Sequence, residues 1–309
     1  MNRLKILIVS KFLYARGGAE TYAISLGEML KMHNHEVRFF SMSYPENINV
    51  NENEYFVKEV SFFQSSLNAK LKAALRVFGV GVKRNYEKIL DDFQPDVIHL
   101  NNIHSYLSPI VAELAHKRGI KVIWTVHDYK LICPTYSFLC QGKPCEACIE
   151  NKYSVISRKC MKNSLLASLL AWGEIMYWNK GRLSRWTDAF ICPSNFMAQK
   201  MMQGGYPANK LHVIYNFIDS GKVKLISELS SEERELAYVY LGRLSKEKGI
   251  EELLKVAEQL PYKLYIAGRG PLEDILKQKY SSDNIKFVGH LSAEKIIKLF
   301  KKVQFSVIP

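Results

Sequence analysis

KILIVSKFLYARGGAET, residues 5–21, decides the fold before any other stretch is read. Its first six residues are β-rich and show no polar alternation past Lys5, the pattern of a strand covered on both faces in a parallel sheet. Gly17 and Gly18 then stand just ahead of a helix expected from Ala19 to Asn34. Strand, glycine loop and helix together open a β-α-β unit. Apolar runs of the same kind recur as VRFFSM (37–42), VIHL (97–100), KVIWTV (121–126), AFICPS (189–194) and HVIYN (212–216), with helical patterns between most of them. A second series, AYVYLG (237–242), KLYIAG (263–268), IKFVG (285–289) and FSVIP (305–309), alternates with helices expected at 247–260, 270–280 and 292–303. Two such series predict two doubly wound α/β domains, 1–217 and 218–309, with the polar segment 219–235 at the boundary. Ligands of such folds collect beyond the carboxyl ends of the strands, so a cleft faced by both domains is the expected site.

The bulk numbers fit this reading. A chain of 309 residues is long enough for two cores, and 48% apolar with 24% charged residues is the profile of an ordinary globular protein. Forty-three Lys and Arg against thirty Asp and Glu give a net charge of +13, which favours anionic partners. No recognised nucleic-acid motif accompanies the charge, which leaves phosphorylated metabolites and an acidic membrane face. The N-terminus has too short an apolar run for a signal peptide, and LLASLLAW (165–172) is broken by Gly173 and Glu174, so it does not span a bilayer. A cytoplasmic protein is expected. Residues 60–92 and 160–186 are long, basic and partly amphipathic. They read either as peripheral contacts with an anionic membrane on its inner face or as packed helices whose lysines face water.

Five of the six cysteines fall between 133 and 160. Cys145-x-x-Cys148, flanked by Cys140 and Cys160, supplies four thiolates for a structural zinc, with unligated thiols as the alternative.

Several strand ends carry polar residues where such folds bind ligands. WTVHDYK (124–130) places His127 and Asp128 past one strand, and HLNNIHSY (99–106) places His99, Asn101, Asn102 and His104 past another. Gly17 and Gly18 would let backbone N–H groups approach an anion at a helix start, or would serve a turn needing positive φ. YLGRLSKEKG (240–249) gathers Arg243, Lys246 and Lys248 around a helix start expected near Glu247, an arrangement suited to a diphosphate. It is not a Walker A loop, and no Ser or Thr follows the lysine to hold magnesium, so phosphate binding without a metal is indicated. A solvated charged turn is the alternative. One strand later, Gly268, Arg269, Gly270 and Pro271 repeat the strand-to-helix device.

Taken in order, GGAE, PDVIHLNN, TVHD, ICPS, VIYNFID, YLGRLSKEKG and AGRGPLE resemble the retaining glycosyltransferases of family four over essentially the whole chain. The resemblance implies a GT-B fold: two Rossmann-like doubly wound domains facing a cleft. Residues 1–217, with a cysteine-rich insert at about 133–160, would form the acceptor side, and residues 218–309 the nucleotide-sugar side. It further implies transfer of a sugar from a UDP- or GDP-linked donor to an acceptor hydroxyl with retention, in bacterial surface polysaccharide or glycolipid synthesis. The acceptor would be a saccharide or a lipid-linked one, and no cofactor would be required. Arg243 and Lys248 would clamp the donor diphosphate, Gly17 and Gly18 would face it, and His127 would contact the donor sugar or the acceptor hydroxyl. Gly268 and Gly270 would shape the nucleoside side, while Lys246 matches a variable position. Family members continue past SVIP with a segment bearing two glutamates and a returning helix. The second domain is therefore expected to be incomplete, and a truncated, non-catalytic remnant or nucleotide-binding module is the alternative function.

Overall fold

The computed structural model describes residues 2–62, 66–218 and 234–309. The expected boundary segment 219–235 lies almost wholly outside the described residues, as does the end of VIYNFID. The chain divides into two compact units, Met1–Phe217 and Ile218–Pro309.

In the first unit, strands β1 (Lys5–Val9), β2 (Glu36–Phe40), β3 (Val97–Leu100), β4 (Lys121–Thr125), β5 (Ala189–Cys192) and β6 (Leu211–Val213) form one sheet in the order β6-β5-β4-β3-β1-β2. Every pairing in it is parallel. The unbroken apolar composition of β1 follows from its place between two cores. Leu7 and Val9 join one cluster, with Phe40, Ile98, Trp124 and Phe190, while Ile6 and Ile8 join another, with Leu26, Val37 and Phe39. Successive side chains of a strand point to opposite faces, so a strand buried on both sides has no polar position to spare.

The larger helices of this unit are α1 (Gly18–Met32), α2 (Leu67–Val77), α3 (Lys83–Phe93), α4 (Ile110–Lys117), α5 (Leu165–Tyr177), α6 (Lys180–Trp186) and α7 (Asn195–Gln203). The serine of ICPS explains the start of α7: Ser194 Oγ accepts from the Met197 N–H at 3.1 Å as an N-cap. The long basic stretch 60–92 is two helices rather than one, parted around Gly79, which has φ +91°.

The second unit holds β7 (Glu235–Leu241), β8 (Lys263–Ala267), β9 (Ile285–Gly289) and β10 (Val303–Val307), all parallel, in the order β9-β8-β7-β10. Its helices are α8 (Ile250–Ala257), α9 (Glu273–Lys279) and α10 (Ala293–Lys302). Alternation sorts β7 between two cores, Tyr238 and Tyr240 to one and Ala237 and Val239 to the other.

One expected boundary is corrected. The helix does not begin near Glu247: Lys246–Lys248 form a single 3-10 turn, and α8 starts at Ile250. Gly249 between them sits at φ +63°, a left-handed conformation that cannot continue a helix. A side chain there would also stand 3.3 Å from Pro309, just past β10.

Both sheets reverse direction once. In the first unit the chain steps from β1 outward to β2 and returns to β3 on the other side; in the second it runs from β7 through β8 to β9 and returns to β10 beside β7. Crevices that bind ligands in such sheets open beyond the carboxyl ends of the strands at this reversal. The topology therefore selects the loops after β1 and β3 in the first unit and the loop after β7 in the second.

Candidate functional site

The loop after β1 brings Lys11, and helix α1 brings Glu20 and Tyr22; the ends of β3 and β4 bring His99, Asn101, Thr125, His127 and Asp128. Asn101 organises the centre. Its Nδ2 donates to His99 O at 3.3 Å, which turns Oδ1 toward His127 Nε2 at 3.0 Å. Burial holds both His99 and His127 down to about 4, so the rings are neutral near pH 7. A neutral ring facing a carbonyl oxygen must donate, so Nε2 of His127 carries the proton and Nδ1 is left as the acceptor. The Tyr22 ring meets the His127 ring edge-on at 5.0 Å, and His99 Nε2 lies 2.8 Å from Thr125 Oγ1. His104, the other histidine of HLNNIHSY, instead stacks on Trp124 at 5.2 Å, and burial pushes it well below its ordinary value.

Charge gathers around this centre. Burial lowers Lys11 and raises Asp128, each opposed by the other's charge, and Glu20 also acts on Lys11. Asp128 Oδ1 accepts from the backbone N–H of Lys130 at 2.9 Å. Lys130 turns inward to a buried ion pair, its Nζ 2.7 Å from Glu174 Oε2 and donating to Pro134 O at 2.7 Å. Ser105 Oγ donates to the same carboxylate at 2.8 Å. Thus α5, through Glu174, is tied to the loop that carries His127 and Asp128.

Gly17 and Gly18 open α1, but neither has a positive φ. Gly17 is extended, where any residue fits, and a methyl on Gly18 would meet nothing within 4 Å. The turn-forming reason for glycine is thereby removed. The buried carboxylate of Glu20 lies nearby, 3.1 Å from where a Gly17 side chain would begin.

In the second unit, the loops after β7 and β8 are one construction. Gly242 N donates to Ala267 O, Leu244 N to Arg269 O, and Leu272 N to Leu244 O, at 3.0, 3.0 and 3.1 Å. A side chain on Gly268 would begin 1.9 Å from Gly242 O, and one on Gly270 2.2 Å from Leu244 O. Both glycines are therefore required by backbone packing against the basic loop. Above this base Arg243, Lys246 and Lys248 are exposed. The ion pairs of this unit among the described residues, Lys263–Glu235, Lys277–Glu273, Lys279–Glu251 and Lys302–Glu235, use none of the three. Glu247, the acid among them, accepts from Ser245 Oγ at 2.6 Å.

In the cysteine-rich insert the four thiols take different partners. Sγ of Cys140 and Sγ of Cys160 approach to 3.4 Å, while Cys145 Sγ faces Arg158 Nη1 and Cys148 packs with Val155 and Ile156. All six cysteines are free, and among the described residues no three His, Cys, Asp or Glu side chains converge on a point where a metal ion would sit. Burial pushes the Cys148 thiol up to about 11, the behaviour of a small apolar side chain.

Two Rossmann-like sheets with polar loops at both reversals define an α/β protein of the GT-B class. The chain belongs to Glycosyltransferase Family 4, whose model matches residues 16–222, and residues 223–309 match glycosyl transferases group 1. It is 25% identical to an uncharacterized 42.6 kDa protein in the cps region of Klebsiella pneumoniae, over 99% of this chain and 79% of that one. Among solved structures it is similar to Anabaena HepE in complex with UDP-glucose, with a TM-score of 0.55 at 16% identity over 99% of this chain and 74% of that one. The catalytic domain of starch synthase IV from Arabidopsis thaliana, bound to ADP and acarbose, gives a TM-score of 0.61 at 15% identity over 100% and 78%. At such identities the structural likeness speaks for the fold.

Sequence reasoning missed Lys11, Glu20, Lys130 and Glu174. A lone acid in the apolar run LLASLLAWGEIMYW was the available signal for Glu174, because an unpaired carboxylate is not left in a helix core.

Proposed function

We propose that this glycosyltransferase moves a sugar from a UDP- or GDP-linked donor to an acceptor hydroxyl with retention of anomeric configuration, in bacterial surface polysaccharide or glycolipid synthesis. The observation that carries the donor assignment is the loop after β7: three exposed cations that enter no ion pair among the described residues, on a backbone fixed by Gly268 and Gly270. Exposed cations gathered on a rigid base suit an anionic ligand, here a diphosphate. Arg243 and Lys248 bind it and stabilise the negative charge that grows on the leaving nucleotide as the glycosidic bond breaks. In the first unit, Gly17 and Gly18 would offer backbone N–H groups to an anionic group, and His127 would meet the donor sugar or the acceptor hydroxyl through Nδ1. No cofactor takes part, and the sugar nucleotide is a substrate. The relative in the cps region supports the place in polysaccharide assembly.

Calorimetric titration of the chain with UDP and GDP tests the donor assignment. Charge-assisted hydrogen bonds contribute about 1.5–3 kcal/mol each, so Arg243→Ala with Lys248→Ala should weaken binding by about a hundredfold or more. Both side chains are exposed, so Tm should not move. Unchanged affinity in the double variant would remove the assignment. The anomeric configuration of the product, read by proton NMR, decides retention.

A further inference from the structure

The sequence left two readings for the clustered cysteines, a metal set and unligated thiols. The structure sorts them by reach. Cys133, Cys148 and Cys192 are buried, while Cys140, Cys145 and Cys160 are half-buried and open to a small reagent. Cys145 Sγ accepts from Arg158 Nη1 at 3.4 Å. Cys140 and Cys160 face each other instead, with their sulfurs 3.4 Å apart.

Local backbone structure holds both sulfurs in place. Cys140 ends the first strand of a small hairpin, in which Leu139–Cys140 pairs antiparallel with Lys143–Pro144. Gln141 and Gly142 between the strands have φ +51° and +79°, and two left-handed residues in succession make the tight turn whose twist suits paired strands. Cys160 follows the short helix Ser154–Ser157. Its N–H donates to Val155 O at 3.0 Å once Lys159, at φ +46°, has reversed the chain, a common way for a helix to end. A disulfide bond is about 2.05 Å long, so the two sulfurs need to approach by about 1.4 Å, a shift that torsion about the two Cα–Cβ bonds can supply.

We propose that Cys140 and Cys160 form a reversible thiol–disulfide pair, oxidised by a low-molecular-weight disulfide such as glutathione disulfide. The Cys140 thiolate attacks one glutathione sulfur and expels the first glutathione. Cys160 then attacks Cys140 Sγ in the mixed disulfide, forms the Cys140–Cys160 bond and expels the second. The two thiol protons pass to the two glutathiones released, which are reduced as the protein sulfurs are oxidised. Burial, and the neighbouring Cys140, push the Cys160 thiol up to about 12, which leaves the first attack to Cys140. The bond ties together two segments that border the candidate site. On one side the Phe138 ring lies 4.5 Å from that of Tyr129, next to Asp128. On the other, the Met161 N–H donates to Ser168 Oγ of α5 at 3.0 Å, and α5 holds Lys130 through Glu174.

Equilibration of the full chain with defined ratios of reduced and oxidised glutathione tests the pair, with thiols counted after unfolding and alkylated peptides mapped by mass spectrometry. In oxidising mixtures two of the six thiols should be lost, in linked peptides carrying Cys140 and Cys160. Tm should rise by about 5 °C or more as the bond closes the intervening loop, and should return on reduction. Cys140→Ser should show neither change, whereas Cys160→Ser should stop with one glutathione on Cys140. Six free thiols in every mixture, or a bond through Cys145 in place of either partner, would overturn the proposal. So would a stoichiometric zinc ion in the purified chain, since the thiols of the insert would then be its ligands.

Discussion

Glu174→Leu is the perturbation that examines the first unit most directly. The side chains of Lys130 and Glu174 are 8% and 7% exposed and 2.7 Å apart. Removing the carboxylate leaves a buried ammonium with Pro134 O as its remaining hydrogen-bond acceptor among the described residues and takes from Ser105 its partner. An uncompensated buried charge of this kind costs about 3–5 kcal/mol. Lys130→Met should cost a similar amount, because it strands the carboxylate instead. The double variant, Lys130→Met with Glu174→Leu, removes both charges and leaves chiefly Ser105 Oγ unsatisfied, a cost of about 1–3 kcal/mol. It should therefore be more stable than either single variant by about 2 kcal/mol. Urea unfolding followed by tryptophan fluorescence is the assay. All four tryptophans, Trp124, Trp172, Trp178 and Trp186, lie in Met1–Phe217, so the signal reports this unit alone. Single variants within about 1 kcal/mol of wild type, or a double variant whose cost is the sum of the singles, would refute the reasoning.

Acid should unfold the first unit through its histidines. His99 and His127 hold to about 4 when folded, against about 6.5 when unfolded. The unfolded chain binds their protons first, so stability present above about pH 6.5 is lost as pH falls toward 4. A difference of about 2.5 pH units corresponds to about 3 kcal/mol for one histidine, and less than twice that for the neighbouring pair. Tm measured against pH should show a shallower decline in His99→Gln over this window, and an identical decline would count against the assignment. In the second unit, Gly268→Ala adds a methyl 1.9 Å from Gly242 O at a φ of +144°, and Gly270→Ala adds one 2.2 Å from Leu244 O. Each should cost about 1–3 kcal/mol, with the greater loss at Gly268 where the backbone is also strained. Thermal unfolding and UDP titration should fall together, because the basic loop rests on these two positions; stable variants would show that the loops are free to part.

The strands were legible because parallel strands buried on both faces read as unbroken apolar runs. VIHL and IKFVG stand where expected, and the other runs match their strands to within two residues at either end except HVIYN, whose strand ends three residues early at Val213. The polar strand ends were legible for the same reason: in WTVHDYK and YLGRLSKEKG the apolar pattern stops, and chemistry begins where the sheet ends. The start of α8 was misplaced by three residues, because helical periodicity in KEKGIEELL does not reveal that Gly249 takes a left-handed backbone. The cysteine spacing was suggestive of metal, yet spacing fixes only which thiols are near, and their directions depend on how the insert packs.

By itself the sequence determined the two α/β series, the loops that hold the candidate site and the cations of the loop after β7, since these follow from periodicity and from residue type at strand ends. Only the tertiary structure decided the roles within them. Gly268 and Gly270 proved to be backbone contacts, Glu174 proved to be the partner of Lys130, and the leucines of α2 and α5 proved to face outward. Each of these depends on what lies opposite a residue after the chain has turned back on itself, and that distance is not written in any local pattern.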